Sequence, residues 1–255
     1  NKKIRGKKFD IITSIAMFYD LNDPNTFVKE IKNYLKKDGI WIFELSYLVD
    51  MLKLNSFDTI CHEHLEYYSH EVIINLLSKH QLEVFDFISN DINGGSTQYY
   101  IKKTYNNKLK VNRKKIQKLI KQEKKYGLGK VQTYKKFYLK INFIKKKLIK
   151  KIKTIKNKKL SIHGYGASTK GNVLLQYFGI NKEHIDCIAD RNPKKNGFYT
   201  PNTKIKIVSE NYSRSKRPNY YLVLPWHFKK EILMREKLQR KYSKFIFPLP
   251  KLSIH

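Results

Sequence analysis

The stretch KKLSIHGYGASTKGNVLLQYFGI, residues 158–180, constrains the fold more than any other. An apolar, β-branched run enters a turn carrying Gly164, Gly166 and Gly171, and a run with helical spacing leaves it, so a buried strand must pass directly into a helix. The pattern continues downstream. HIDCIADRNPKKNG reads as a second strand ending at Asp190, PNYYLVLPWHF as a later strand and FKKEILMREKLQRKY as a helix. Strands alternating with helices imply a parallel, Rossmann-like sheet.

A second α/β pattern lies upstream. FDIITSIAMFYDL is apolar and β-branched, DPNTFVKEIKNYLKK has helical spacing, and GIWIFEL is again a buried strand. Asp23 and Pro24 mark the helix start, and Asp38-Gly39 is expected to end it. HEVIINLLSKH then predicts a short helix, and LEVFDFIS and TQYYIKK predict antiparallel strands joined by a Gly-Gly turn. Between the two patterns, residues 102–159 carry a dense series of Lys and Arg opposed only by Glu123. Tyr134, Phe137, Tyr138, Ile141, Ile144, Leu148, Ile152 and Ile155 recur there at three- and four-residue spacing. The spacing predicts an amphipathic helix with a basic outer face and its aromatics on the buried side. A domain boundary is placed near residue 105, dividing the chain into 1–105 and 106–255.

The chain has 255 residues, of which 41% are hydrophobic, enough for two buried cores. Its net charge of +32 is the kind of excess that attracts phosphate polymers. Lys, Ile, Asn, Tyr and Phe are all abundant, however, and these are residues of AT-rich codons, so charge alone is weak evidence for nucleic acid. Cys61 and Cys187 form no CxxC pair, which leaves neither a disulfide framework nor a structural zinc. No apolar run is long enough to span a bilayer, and a cytoplasmic location is the expectation. The chain starts at Asn1 without Met, directly before a strand-like stretch, so an N-terminally incomplete protein is also expected.

Two stretches carry chemistry. In GYGASTKG, a glycine turn between strand and helix presents backbone N–H groups and a helix dipole to an anion, and Asp190 ends the next strand where an acid can take ribose hydroxyls. The third glycine comes too late for GxGxxG, and Lys170 precedes Gly, so this is no Walker motif. The stretch SFDTICHEHLEYYS gathers His62, Glu63, His64, Glu66, Tyr67 and Tyr68 in a chain poor in acids and histidines. Zinc binding, surface polarity and acid–base catalysis all remain open on spacing alone.

Taken in order, SIAMFYDL, LKKDGIWIFELSYL, NSFDTICHEHLEYYS, NGGS, GYGASTKGNVLL, DRNPKKNGFYTPNT and LPWHF resemble the family of S-adenosylmethionine-dependent sugar C-methyltransferases. The resemblance covers essentially the whole chain. It implies part of a class I methyltransferase Rossmann-like domain over 1–105, then a helical connector and a second Rossmann-like α/β domain, holding a nucleotide-linked sugar, over 106–255. It further implies methylation of a carbon of a nucleotide-linked keto-deoxysugar. His64 would be the general base and Glu63 its assistant. Ser14 would be what remains of the donor site, and Gly164, Tyr165, Gly166, Lys170, Gly171, Asp190 and Arg191 would meet the substrate. The donor-binding glycine turn and a zinc-binding module would lie before Asn1, with zinc expected only there. Cys61 stands where many members have Tyr, and Phe18 and Tyr19 where they have His, which puts the substrate and the proton-transfer partners in question. The competing readings are a non-catalytic sugar-nucleotide binding module and an RNA-directed methyltransferase or binding protein. No membrane partner is expected, and the oligomeric state is open.

Overall fold

The computed structural model describes residues 6–255, and residues 1–5 lie outside the described residues. The chain divides into two packing units, one running through Leu52 and resuming with His62–Tyr134, the other made of Lys53–Cys61 and Lys135–His255.

In the first unit, β1 (Phe9–Ile15), α1 (Pro24–Tyr34) and β2 (Leu35–Ser46) form the expected strand–helix–strand layer, with β1 and β2 parallel. Asp23 caps α1 by accepting from the Thr26 N–H at 3.1 Å, and Pro24 occupies the first turn, where its missing N–H is harmless. The helix stops at Tyr34, not at the expected Asp38-Gly39, because Leu35 turns extended and is fully buried. LKKDG joins β2 with a register shift, and Gly39 is required there, since a Cβ would come within 2.8 Å of the Phe9 carbonyl oxygen.

A short helix, α2 (Leu48–Lys53), precedes α3 (His70–Lys79), β3 (Leu82–Asn90) and β4 (Ser96–Lys103). The last two strands pair antiparallel across Gly94 and Gly95, both at positive φ as the tight turn requires, and the sheet order is β1-β2-β4-β3. Trp41, Phe43, Tyr99 and Ile101 share a core with Val28, Ile31, Ile73 and Leu77 from the helices. α4 (Arg113–Tyr126) stays with this unit although it follows residue 105, because Ile116 and Leu119 pack on the same core.

α5 (Val131–Asn157) enters the second unit, followed by β5 (Ile162–Tyr165), α6 (Thr169–Phe178), β6 (Cys187–Asp190), β7 (Ile207–Ser209), α7 (Glu210–Ser215), β8 (Tyr220–Val223), α8 (Lys229–Arg235), β9 (Lys244–Phe247) and β10 (Ser253–Ile254). The sheet order is β10-β9-β8-β5-β6-β7, parallel except for β10, with the chain reversing its direction of travel after β7. This is the doubly wound arrangement expected from the alternating pattern, and it opens a crevice at the strands' carboxyl ends beside β5 and β8.

The amphipathic reading of α5 holds from Ile141 onward, where Ile141, Ile144, Leu148, Ile152 and Ile155 are buried. Its aromatic part is corrected. Tyr134 is 40%, Tyr138 58% and Phe143 58% exposed, so aromatics stand among the lysines on the solvent side. Phe137 alone of the three expected aromatics packs on the second unit's core, which the stripe meets fully only from Ile141. RNA binding to this face is expected to be sequence-independent and to fall by about a thousandfold or more when salt rises from ~50 to ~200 mM, as counterion release dictates. Filter binding that stays tight across that range would show that the aromatics stack on bases.

Candidate functional site

In the first unit the HEH stretch is an irregular segment held to the chain after β1. The N–H groups of Leu65 and Glu66 both donate to the Tyr19 carbonyl oxygen, at 2.9 and 3.2 Å. The rings of Tyr19 and His64 lie 4.4 Å apart, and Tyr67 donates its hydroxyl proton to the His64 carbonyl at 3.3 Å. His64 is therefore fixed in backbone and ring, and half-buried. Glu63 is exposed, and its carboxylate lies 3.9 Å from His62 Nε2.

Ser14 does not face outward. It is buried in β1, and its hydroxyl accepts from Trp41 Nε1 at 3.1 Å, which commits that side chain to packing between β1 and β2. β1 ends in Ala16, held at φ 52°, and a 3-10 turn at Phe18–Asp20 rather than in a glycine turn. The described residues of this unit thus do not make a cradle for S-adenosylmethionine. No group of three or more His, Cys, Asp and Glu among the described residues is arranged to hold a metal ion.

A buried polar group escaped sequence reasoning. Glu123 of α4, 2% exposed, accepts from the N–H of His70 at 2.7 Å and of Glu71 at 3.1 Å, so one carboxylate caps α3. His70 Nδ1 meets the Tyr99 hydroxyl, and the Tyr47 and His70 rings are 4.0 Å apart. Burial pushes His70 down to about 3, so its ring stays neutral, and burial followed by the Glu123 charge raises the Tyr47 phenol. The sequence signal was the isolation of Glu123 among cations.

In the second unit a cleft of about 770 Å³ opens at the carboxyl ends of the strands, lined among others by Tyr165, Gly166, Asp190, Arg191, Phe228 and Arg235. Four of the expected substrate residues, Tyr165, Gly166, Asp190 and Arg191, come together there. Gly164 and Gly171 serve packing instead: a Cβ on Gly164 would meet Ile188 at 2.6 Å, and one on Gly171 would meet Leu224 at 2.9 Å. Lys170 does not line the cleft; its charge acts on Asp58, Cys61 and His227.

The turn's donors are largely used within the protein. Gly166 N–H donates to the Ala189 carbonyl at 2.7 Å, Ala167 N–H to Asp190 at 2.7 Å, and Gly171 N–H to Ser168 Oγ at 3.0 Å. Asp190 also accepts from Asn192 N–H at 2.8 Å and lies 3.6 Å from Lys195 Nζ, so its carboxylate clasps the loop. At the back of the cleft, the Tyr165 hydroxyl donates to Glu236 at 2.7 Å, and Glu236 and Glu210 are paired with Arg214 and Arg235.

Gly166 sits at φ +83° with Pro225 2.7 Å from where a Cβ would lie, whereas Gly197, at φ +87°, has open space. Gly166→Ala is expected to destabilise by more than the ~1–3 kcal/mol of left-handed strain alone, and Gly197→Ala by about that amount. Equal shifts in urea unfolding would show that Pro225 gives way.

With this geometry in place, comparison with known families is decisive. The profile of the C-methyltransferase C-terminal domain family matches residues 91–250. The chain is a member of that C-methyltransferase family. A methyltransferase-domain profile matches residues 3–86 as well. The chain is similar to C-methyltransferase NovU of Streptomyces niveus, at 29% identity over 91% of this chain, and spans 55% of that relative's length. Among solved structures it resembles an S-adenosylmethionine-dependent methyltransferase from Clostridium acetobutylicum at 16% identity and a TM-score of 0.30, over 38% of this chain and 59% of that one. No helix among the described residues is long and apolar enough to cross a membrane.

Proposed function

We propose that the chain works in an S-adenosylmethionine-dependent C-methyltransferase whose substrate is a nucleotide-linked keto-deoxysugar, with His64 as general base. Residues 1–105 are read as the later part of the methyltransferase domain, and 106–255 as a helical connector and a nucleotide-sugar-binding domain. The observation that carries the reading is the way His64 is held: its ring against Tyr19 and its flanking backbone on the Tyr19 carbonyl. An imidazole fixed in place suits removal of a proton beside a ketone. His64 takes the proton, and the C–H electron pair moves into the carbonyl, leaving a nucleophilic enolate carbon. Glu63, the preceding residue, is read as assisting the base. S-adenosylmethionine, when bound, supplies the methyl group. The cleft at Tyr165, Gly166, Asp190 and Arg191 supports nucleotide recognition, with the exposed Arg191 cation in its lining.

Incubating a nucleotide-linked keto-deoxysugar and the methyl donor with the full-length protein should give, by mass spectrometry, a product heavier by one methylene, whereas residues 1–255 alone are expected to be inactive. Calorimetric binding of the sugar nucleotide without product would favour the non-catalytic binding module instead.

A further inference from the structure

The cleft of the second unit carries an anion of its own where a strand-to-helix glycine turn ordinarily takes a phosphate. The Asp190 carboxylate accepts from the Ala167 N–H at 2.7 Å and from the Asn192 N–H at 2.8 Å. Lys195 Nζ lies 3.6 Å from that carboxylate and donates to the Ala167 carbonyl at 2.6 Å, so this cation is committed to the loop. The neighbouring N–H groups are spent as well: Gly166 donates to the Ala189 carbonyl, Ser168 to the Gly166 carbonyl and Gly171 to Ser168 Oγ. A diphosphate at this turn would find few free donors and a fixed negative charge.

Two arginines line the same cleft. Arg191 is exposed, and its side chain makes no hydrogen bond or ion pair with a described residue. Arg235 is held along one edge. Its Nη2 donates to the Tyr165 hydroxyl and, at 2.6 Å, to Glu210, its Nε lies 3.4 Å from Glu236, and its guanidinium stands over the Tyr165 ring, 5.5 Å from the centroid. Its Nη1 bonds to no described residue. Arg214 pairs with both Glu210 and Glu236, so the two carboxylates do not depend on Arg235 alone for neutralisation. A guanidinium fixed on one side offers its remaining donors already oriented, which lowers the ordering cost when an oxyanion binds.

We propose that Arg235 and Arg191 hold the diphosphate of the nucleotide-linked sugar in this cleft, and that the glycine turn does not. Naming the ligand a nucleotide-linked sugar rests on the proposed function. The arginine pair as an oxyanion site does not.

Phosphorus NMR titration of inorganic pyrophosphate into the 255-residue chain reads the site directly, at ~150 mM salt so that scattered surface lysines are screened. Arg191→Gln and Arg235→Gln should each weaken binding by about tenfold or more, the contribution of a hydrogen bond between charged groups. Arg235→Lys, which keeps the charge and loses the planar fork, should lose less than Arg235→Gln. Lys182→Gln, which removes an exposed cation outside the lining, should bind as the parent does. Because Arg191 has no partner to lose, Arg191→Gln should melt at the parental temperature and remains a test even where Arg235→Gln fails to fold.

Calorimetry with the common nucleosides and their diphosphates then separates the site from the function. For the nucleoside that binds, the diphosphate should bind at least about tenfold more tightly, and that gain should vanish in Arg191→Gln while the nucleoside's own affinity stays parental. Parental pyrophosphate affinity in both glutamine variants, or an equal loss in Lys182→Gln, would overturn the proposal. Pyrophosphate binding lost in the arginine variants, with no nucleoside diphosphate bound more tightly than pyrophosphate, would uphold the oxyanion site and reject the nucleotide reading of the cleft.

Discussion

In the full-length protein, replacing His64 by alanine is expected to lower turnover by about a hundredfold to ten-thousandfold, the usual effect of removing a general base. Binding of the nucleotide-linked sugar should change little, because recognition is assigned to the cleft beside Tyr165 and Asp190, in a different unit from His64. Steady-state kinetics should accordingly show the loss in kcat, with KM near the parental value. Glu63→Gln should have a smaller effect, since its carboxylate lies beside His62, 3.9 Å from Nε2. His62→Ala separates the two imidazoles: it should retain most activity, because His62 is 86% exposed and no described ring packs on it.

A large effect on stability should also come from Glu123→Ala. That substitution deprives two backbone N–H groups at the start of α3 of their acceptor and removes a negative charge from the helix N-terminus. Hydrogen bonds to a charged acceptor contribute more than neutral ones, so a loss of about 3 kcal/mol in urea unfolding is expected. Glu71→Ala, which removes an exposed carboxylate in an ion pair 3.6 Å from Lys124, should change stability by less than ~1 kcal/mol. Similar losses for the two variants would mean that the cap contributes little and that α3 is held by Ile73 and Leu77 instead.

Much of this architecture was legible because hydrophobic period and turn chemistry are local. The strand–turn–helix around GYGASTKG, the Gly-Gly hairpin and the cap at Asp23 need only neighbouring residues to specify them. What local pattern could not supply was the partner of each side chain. Asp38-Gly39 reads as a helix stop, yet Gly39 is there because the backbone of β1 passes against it. Ser14 and Lys170 belong to suggestive motifs, but Trp41 claims the first and the second lies half-buried outside the cleft, its charge acting on Asp58. Asp190 stands where a ribose-binding acid would stand, and its oxygens already serve Ala167 and Asn192. Tyr138 falls on the apolar spacing of α5, although the helix begins to bury that stripe only at Ile141. In each case a contact distant in sequence decided the role.

Proton removal, the step assigned to His64, can be observed without methyl transfer. A nucleotide-linked keto-deoxysugar incubated with the protein in deuterated water, with the methyl donor omitted, should take up deuterium at the carbon beside the ketone, followed by NMR or mass spectrometry. Uptake should be rapid for the parent and slower by about a hundredfold or more for His64→Ala. Exchange at the parental rate in the His64→Ala protein would contradict the assignment of His64 as the base.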